Sequence, residues 1–377
     1  MLELRESRYD RQERIWWWDQ SKLSSSRVLV VGAGALGNEM VKNLCLVGVG
    51  QIDVVDMDLI EHSNLARCAL FREEDEGQPK SHALVGRAAS INPEVTLRAF
   101  ACRVQELGSG WLRQYDLVIA GLDSREARLW VNAACRRLGK YWIDGAIEGL
   151  QGLVRVFGPG GACYECTLGE VDLAALSHRR SCAILSPAEI ASGHTPTNAT
   201  TASVVAGIEV QEAIKLLVDR PDLLALQGRV WRLEGESMMT TLIEYIEDPM
   251  CMAHDRVTEW ADPPEAIESL AQACSALRTK SGGPVEAVYF TDDVLTIEPC
   301  ALCGRGESLV GLRSVMPDGA ARCANCGADR PVDSRSSLGL DDPLAVAPWA
   351  EWHWPRSELV GLRMSTGIVH MVLEGEA

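Results

Sequence analysis

An apolar run, Arg27–Val31 (RVLVV), leads straight into Gly32-Ala33-Gly34-Ala35-Leu36-Gly37 and then a helical pattern to Val47. A G-x-G-x-x-G set between a strand and a helix leaves few architectures open. The glycines permit a tight turn, and backbone N–H groups at the helix start can approach a phosphate. Asp56 ends the next apolar run, QIDVVD, about as far along as a ribose-binding carboxylate is expected. Further strand-like runs lie at Thr96–Phe100, Asp116–Ala120 and Tyr141–Asp144, with a helical pattern over Trp130–Leu138. This alternation predicts an α/β fold with a doubly wound, mostly parallel sheet.

The glycine motif alone would suit NAD or FAD. Five further residues point elsewhere: Arg11 in RYDRQ, Asn64 and Arg67 in DLIEHSNLARC, Lys80 in GQPKSHA and Asp123 in GLDSREAR. Added cations and a carboxylate around a phosphate-binding turn suit a triphosphate with magnesium better than a dinucleotide. Arg and Lys stabilise charge on reacting phosphates, and Asp can hold a hard cation.

Charge and composition narrow the partners. A formal net charge of −17 works against nonspecific nucleic-acid binding and would attract a basic tail on a partner protein. No run of eighteen apolar residues suggests a membrane span, and MLELRESRYDRQER is too charged for a signal peptide. Seven of the 13 cysteines fall in three C-x-x-C pairs and one C-x-x-H. That pattern reads as metal binding in a reducing compartment, so a cytoplasmic location is expected.

Cys300-x-x-Cys303 and Cys323-x-x-Cys326 have zinc-ribbon spacing, and Gly304 and Gly327 follow the two pairs. Four thiolates would close the coordination shell, so the role expected is structural. Cys182 lies in HRRSCAILSP, within an irregular stretch over about 167–199. Arg179 and Arg180 beside it would raise its thiolate fraction. A passive loop cysteine is the other reading. Cys45 and Cys135 sit in helical patterns and are expected to be buried packing residues; Cys102 and Cys274 show no catalytic neighbourhood, and Cys68, near the nucleotide motifs, is expected to do no chemistry.

RYDRQ, VGAGALG, VDMDLIEHSNLARC, GQPKSHA, GLDSREAR and TTASVVAGIEVQEAIKLL together resemble the adenylation domain of ubiquitin-activating enzymes and their bacterial relatives MoeB and ThiF. The resemblance covers residues 8 to about 254. It implies a Rossmann-like adenylation domain in which Gly32, Gly34, Leu36 and Gly37 lie against ATP and Asp56 holds the ribose. Asp58 would join the nucleotide contacts. Asn64, Arg67 and Lys80 would contact the phosphates, and Asp123 would hold magnesium at the reacting centre. Arg11 would reach the ATP of the opposite subunit of a homodimer. The family has Gln after the arginine of NLxR, where this chain has Cys68. The resemblance also implies that Cys163, Cys166, Cys251 and His254 meet on one tetrahedral zinc. It likens SCAIL to the element that holds the catalytic cysteine of enzymes activating ubiquitin-like proteins.

The function so implied is adenylation of the C-terminal glycine of a ubiquitin-like protein, thioester formation on Cys182 and handover to a conjugating enzyme. A sulfur-carrier adenylyltransferase of MoeB or ThiF type is the first alternative. An oxidoreductase and a catalytically silent scaffold are others, and the Arg11, Arg67, Lys80, Asp123 set argues against both. The expected domains are 1–254 for adenylation, a linker over 255–290, and a β-rich zinc-ribbon domain over 291–377. Trp349, Trp352 and Trp354 could form a docking surface or the core of that small domain. The Trp16-Trp17-Trp18 run is expected in dimer or core packing.

Overall fold

A computed structural model of the chain describes residues 7–169, 196–263, 269–281, 284–348, 351–365 and 367–375. It divides into two compact units. The first runs to Val104, resumes over Leu112–Leu168 and closes at Asp255; the second takes Gln105–Trp111 and the chain from Arg256 onward.

The first unit is built on eight strands: β1 (Arg27–Val31), β2 (Gln51–Val55), β3 (Thr96–Phe100), β4 (Leu117–Ala120), β5 (Trp142–Glu148), β6 (Gln151–Phe157), β7 (Arg229–Glu234) and β8 (Met239–Glu244). Their order is β3-β2-β1-β4-β5-β6-β7-β8. The first five are parallel and the last three add on antiparallel. Parallel strands covered on both faces must be apolar throughout. β4 (LVIA) is accordingly buried at every residue, as is β1 after Arg27. β8, the edge strand, is exposed along its whole length.

The helices Ala35–Val47 and Ala199–Leu217 supply much of the core, through Met40, Val41, Leu44, Val205, Ala206 and Val210. Asn198 caps the second of these by accepting from the Thr201 N–H. No described helix is long and apolar enough to cross a membrane. β1 has β2 on one side and β4 on the other, so the strand order reverses there. At such a reversal the loops beyond the carboxyl ends of the two strands diverge, and a crevice opens between them.

The second unit is a mostly antiparallel sheet around the long strand β9 (Val285–Ile297). Its other strands are β10 (Leu309–Leu312), β11 (Val332–Gly339), β12 (Trp352–His353), β13 (Ser357–Met364) and β14 (Gly367–Glu374). The order is β12-β10-β9-β13-β14, and β11 also pairs with β9. The linker expected over 255–290 contains a helix, Leu270–Ser281, and the first half of β9. Leu270, Ala273 and Cys274 of that helix are buried in this unit's core, where a free linker would leave them in water. Within the same unit Ser109 donates to the buried Glu358 carboxylate through its backbone N–H (3.0 Å) and its hydroxyl (2.5 Å). Trp352 is buried in the core and Trp354 packs against it, while Trp349 lies outside the described residues.

Candidate functional site

The glycine turn is shaped by close approaches. Gly32 adopts φ +98°, and a Cβ there would lie 2.6 Å from the Gly121 carbonyl oxygen on the loop after β4. A Cβ on Gly37 would lie 2.0 Å from the Gly32 oxygen. Both glycines are therefore demanded by packing. A Cβ on Gly34 would meet nothing within 4 Å, so its backbone faces open space.

Asp56 stands at the end of β2. Its carboxylate accepts from the N–H of Ala33 (2.7 Å) and of Asp58 (2.8 Å), tying β2 to the turn. Burial pushes this carboxyl up, and the two amides pull it back. Asp58 pairs with Lys80 at 2.7 Å. Burial works against the Lys80 ammonium, but the Asp58 hydrogen bond and the charge of Asp56 outweigh it and hold Lys80 raised.

Asn64 is buried, and its Oδ1 accepts from the Glu61 N–H at 3.0 Å, closing a capping box over His62–Asn64. Arg67 turns back to donate to the Ser63 carbonyl at 2.8 Å. Cys68 is buried among these charges. Desolvation lifts its thiol to about 11, against the pull of Arg67 and Lys80. Leu36 is also buried, so its side chain serves the core. Asp123 is exposed on the loop after β4, one residue before Ser124, which caps the helix Arg125–Arg137 by accepting from the Ala127 N–H. Asp56, Asp58, Arg67, Lys80 and the glycine turn thus form one neighbourhood, and the loop carrying Asp123 abuts it through Gly121.

Arg11 lies elsewhere. The Tyr9 ring packs on Gly48, where an added Cβ would be 2.5 Å away, and Gln12 donates to the Val47 carbonyl at 3.1 Å. Both anchors are at the C-terminal end of the Ala35–Val47 helix. Its 13 residues span about 20 Å, and the glycine turn is at the other end. Trp16 is 79% exposed with the Arg220 guanidinium over its ring, so it takes no part in this chain's core; Trp17 and Trp18 do pack against the core. Cys182 with Arg179 and Arg180 falls outside the described residues.

Two cysteine clusters have the geometry of closed metal sites. Cys163, Cys166, Cys251 and His254 place their ligand atoms within 4.8 Å of one another, as do Cys300, Cys303, Cys323 and Cys326. Metal–sulfur bonds of about 2.3 Å in a tetrahedron put sulfurs about 3.8 Å apart. The Cys163 sulfur is 3.8 Å from that of Cys166 and 3.7 Å from that of Cys251. The pairs Cys300–Cys326 and Cys303–Cys323 are each at 3.6 Å.

In the second cluster Gly304 and Gly327 adopt φ +66° and +72°, and their N–H groups donate to the Cys300 and Cys323 carbonyls at 2.8 Å. That turn aims further amides at the leading thiols. The N–H groups of Cys326 and Asn325 lower Cys323 to about 6, and those of Cys303 and Leu302 lower Cys300. In the first cluster Glu247 lies 3.4 Å from His254 Nδ1, leaving Nε2 toward the sulfurs.

Some residues around the site carry no motif signal. Arg128 donates to Asp144 at 2.7 Å and to the Leu122 carbonyl, gripping the loop that bears Asp123. Arg155 also pairs with Asp144. Asn38, buried in the Ala35–Val47 helix, bonds the glycine turn and Leu70. A polar residue at a core position, directly after the last glycine, was the only sequence trace of it.

Residues 9–253 match the ThiF family. The chain is 42% identical over 159 residues to the NEDD8-activating enzyme E1 catalytic subunit of Dictyostelium discoideum, a match spanning 38% of this chain and 35% of that protein. It is 32% identical over 243 residues to the SAMP-activating enzyme E1 of Haloferax volcanii, spanning 62% of this chain and 81% of the relative. A Thermus thermophilus sulfur carrier protein adenylyltransferase is 40% identical over 154 residues, 39% of this chain and 57% of that one. Among solved structures, E. coli MccB determined with ATP shares the fold, with TM-score 0.54 and 22% identity over 67% of this chain and 75% of that one.

Proposed function

The chain belongs to the ThiF family, and from that premise we propose that it uses ATP to adenylate the C-terminal carboxylate of a ubiquitin-like protein. The observation that carries this reading is the gathering of the glycine turn, Asp56, Asp58, Arg67, Lys80 and the Asp123 loop beyond the carboxyl ends of β1, β2 and β4. In this reaction a carboxylate oxygen bonds to the α-phosphorus, the bond to the bridging oxygen breaks, and pyrophosphate leaves. No protein nucleophile takes part. Positioning and charge neutralisation carry the catalysis. The turn's N–H groups would face the phosphates, Asp56 the ribose, and Arg67 and Lys80 the developing negative charge. Asp123, an exposed carboxylate on the loop that abuts the turn through Gly121, suits a magnesium ion that would offset charge on the departing pyrophosphate.

Arg11 supports a shared site in a homodimer. It is pinned about a helix length from its own glycine turn, so the nucleotide it serves belongs to a second copy. The edge strand β8, exposed at every residue and with Met239 and Ile243 on one face, offers a surface for the carrier on the same unit. Both cysteine clusters take zinc as structural sites, because four protein ligands leave no open position. The adenylation domain then ends near residue 254.

Cys182 is the residue we assign to the next step. Its thiolate would attack the acyl carbon of the adenylate, and AMP would leave. The competing reading, sulfur-carrier activation without a stable thioester, is favoured by the name of the Thermus thermophilus relative. Incubation with ATP and the cognate carrier decides between them. A carrier adduct that survives denaturing gels, disappears with thiol reductant and is absent in Cys182→Ala is expected. No adduct with wild type would favour sulfur transfer, and an adduct persisting in Cys182→Ala would move the acyl group to another cysteine.

A further inference from the structure

Asn38 has no exposed surface and uses both ends of its amide. Nδ2 donates to the carbonyls of Ala33 (2.9 Å) and Gly34 (3.1 Å), and Oδ1 accepts from the Leu70 N–H (3.0 Å). In a trans peptide the carbonyl and the following N–H point in opposite directions. Drawing the Ala33 and Gly34 carbonyls inward therefore turns the N–H groups of Gly34 and Ala35 outward. A Cβ on Gly34 would meet nothing within 4 Å, so this part of the turn borders open space. Among the described residues neither N–H has an acceptor.

The Gly34 carbonyl would face inward in any helix, since the Asn38 N–H already bonds it at 2.9 Å. The Ala33 carbonyl precedes the helix, and Asn38 Nδ2 is what holds it. Asp56 fixes the opposite edge of the same residue by accepting from the Ala33 N–H. The third bond of Asn38 reaches the segment just after Arg67.

We infer that Asn38 is a positioning residue for the triphosphate. It extends the donor array of the helix start by one peptide and holds that array in register with the Arg67 loop. It touches no substrate itself. Fixed donors do not have to reorganise when charge arrives, which is why their orientation matters to phosphate binding. The inference rests on the ATP reading of this site.

The test uses the full chain and two ligands, a non-hydrolysable ATP analogue and adenosine. Asn38→Leu keeps the approximate size and removes all three bonds. Asn38→Ser keeps a hydroxyl that can bond the carbonyl four residues back, that of Gly34, and loses the other two. Loss of all three hydrogen bonds at a charged site should weaken the ATP analogue about 10- to 100-fold in Asn38→Leu, with Asn38→Ser between it and wild type. Adenosine, which lacks phosphates, should bind all three proteins within about twofold. A plain packing defect would lower both affinities together, and that result overturns the inference. Unchanged ATP affinity in folded Asn38→Ser also overturns it. If Asn38→Leu fails to fold, the Asn38→Ser contrast between the two ligands decides. Wild type that binds neither ligand would instead sink the ATP reading, and the inference with it.

Discussion

Glu209 shows how much a single position can cost this fold. It lies on the Ala199–Leu217 helix, fully buried, and among the described residues neither carboxylate oxygen has a hydrogen-bond partner. Gly145 of β5 leaves it room: a Cβ there would fall 2.4 Å from the Glu209 carboxyl carbon. Burial, with the Asp144 charge nearby, pushes the Glu209 carboxyl well above its ordinary value, against the pull of Arg128. The folded state therefore binds this proton more tightly than the unfolded state does. Stability is highest below the unfolded carboxyl value and falls as pH rises toward and through the raised folded one. Glu209→Gln removes that titration. Thermal melts should show Glu209→Gln gaining on wild type as pH rises from 5 to 8, on the order of a few degrees at the alkaline end. A melting difference that stays flat with pH would refute this account. Nothing in IEVQEAIKLL marked Glu209 as buried acid, because a helix pattern with Glu at this spacing reads as a solvated face.

Elements with a strong local signature were legible. β1 and β3 lie where their apolar runs place them, and the Ala199–Leu217 helix begins one residue before the expected start. The C-x-x-C pairs announced a cluster because knuckle geometry is local, two residues and a turning glycine. The set of Cys163, Cys166, Cys251 and His254 was available only through resemblance, since the halves are 85 residues apart between Cys166 and Cys251. The helix Leu270–Ser281 lies in a charged, Pro- and Gly-rich stretch whose one helical patch gives no sign of what it packs against. Its burial depends on strands that arrive later in the chain. The sequence LVGL at Leu309 and Leu359 turns out to mark two strands, β10 and β13, that both pair with β9. At this scale the metal sites give a sharp expectation. Purified protein should hold about two zinc ions per chain. Cys323→Ser should unfold the second unit, because a structural zinc supplies on the order of 10 kcal/mol in small domains. Adenylation should survive that change. Metal content near one ion per chain would remove one of the sites.

For the whole molecule the consequential placement is that of Arg11. Sequence put it with the other phosphate residues, and family resemblance assigned it to the opposite subunit. Its neighbours Tyr9 and Gln12 anchor at the far end of the Ala35–Val47 helix, away from the chain's own glycine turn. Mixing Arg11→Ala with Asp123→Ala protein should restore part of the activity, since one composite site in the mixed dimer carries neither change. No restoration after proven subunit exchange would count against a shared site. The central claim, that this crevice adenylates a carrier's C-terminal glycine, is tested most directly by exchange of labelled pyrophosphate into ATP. Exchange should appear only with a carrier that ends in a free glycine, and should fall at least about 100-fold in Asp123→Ala. Full exchange in Asp123→Ala, or exchange that proceeds equally without any carrier, would contradict it.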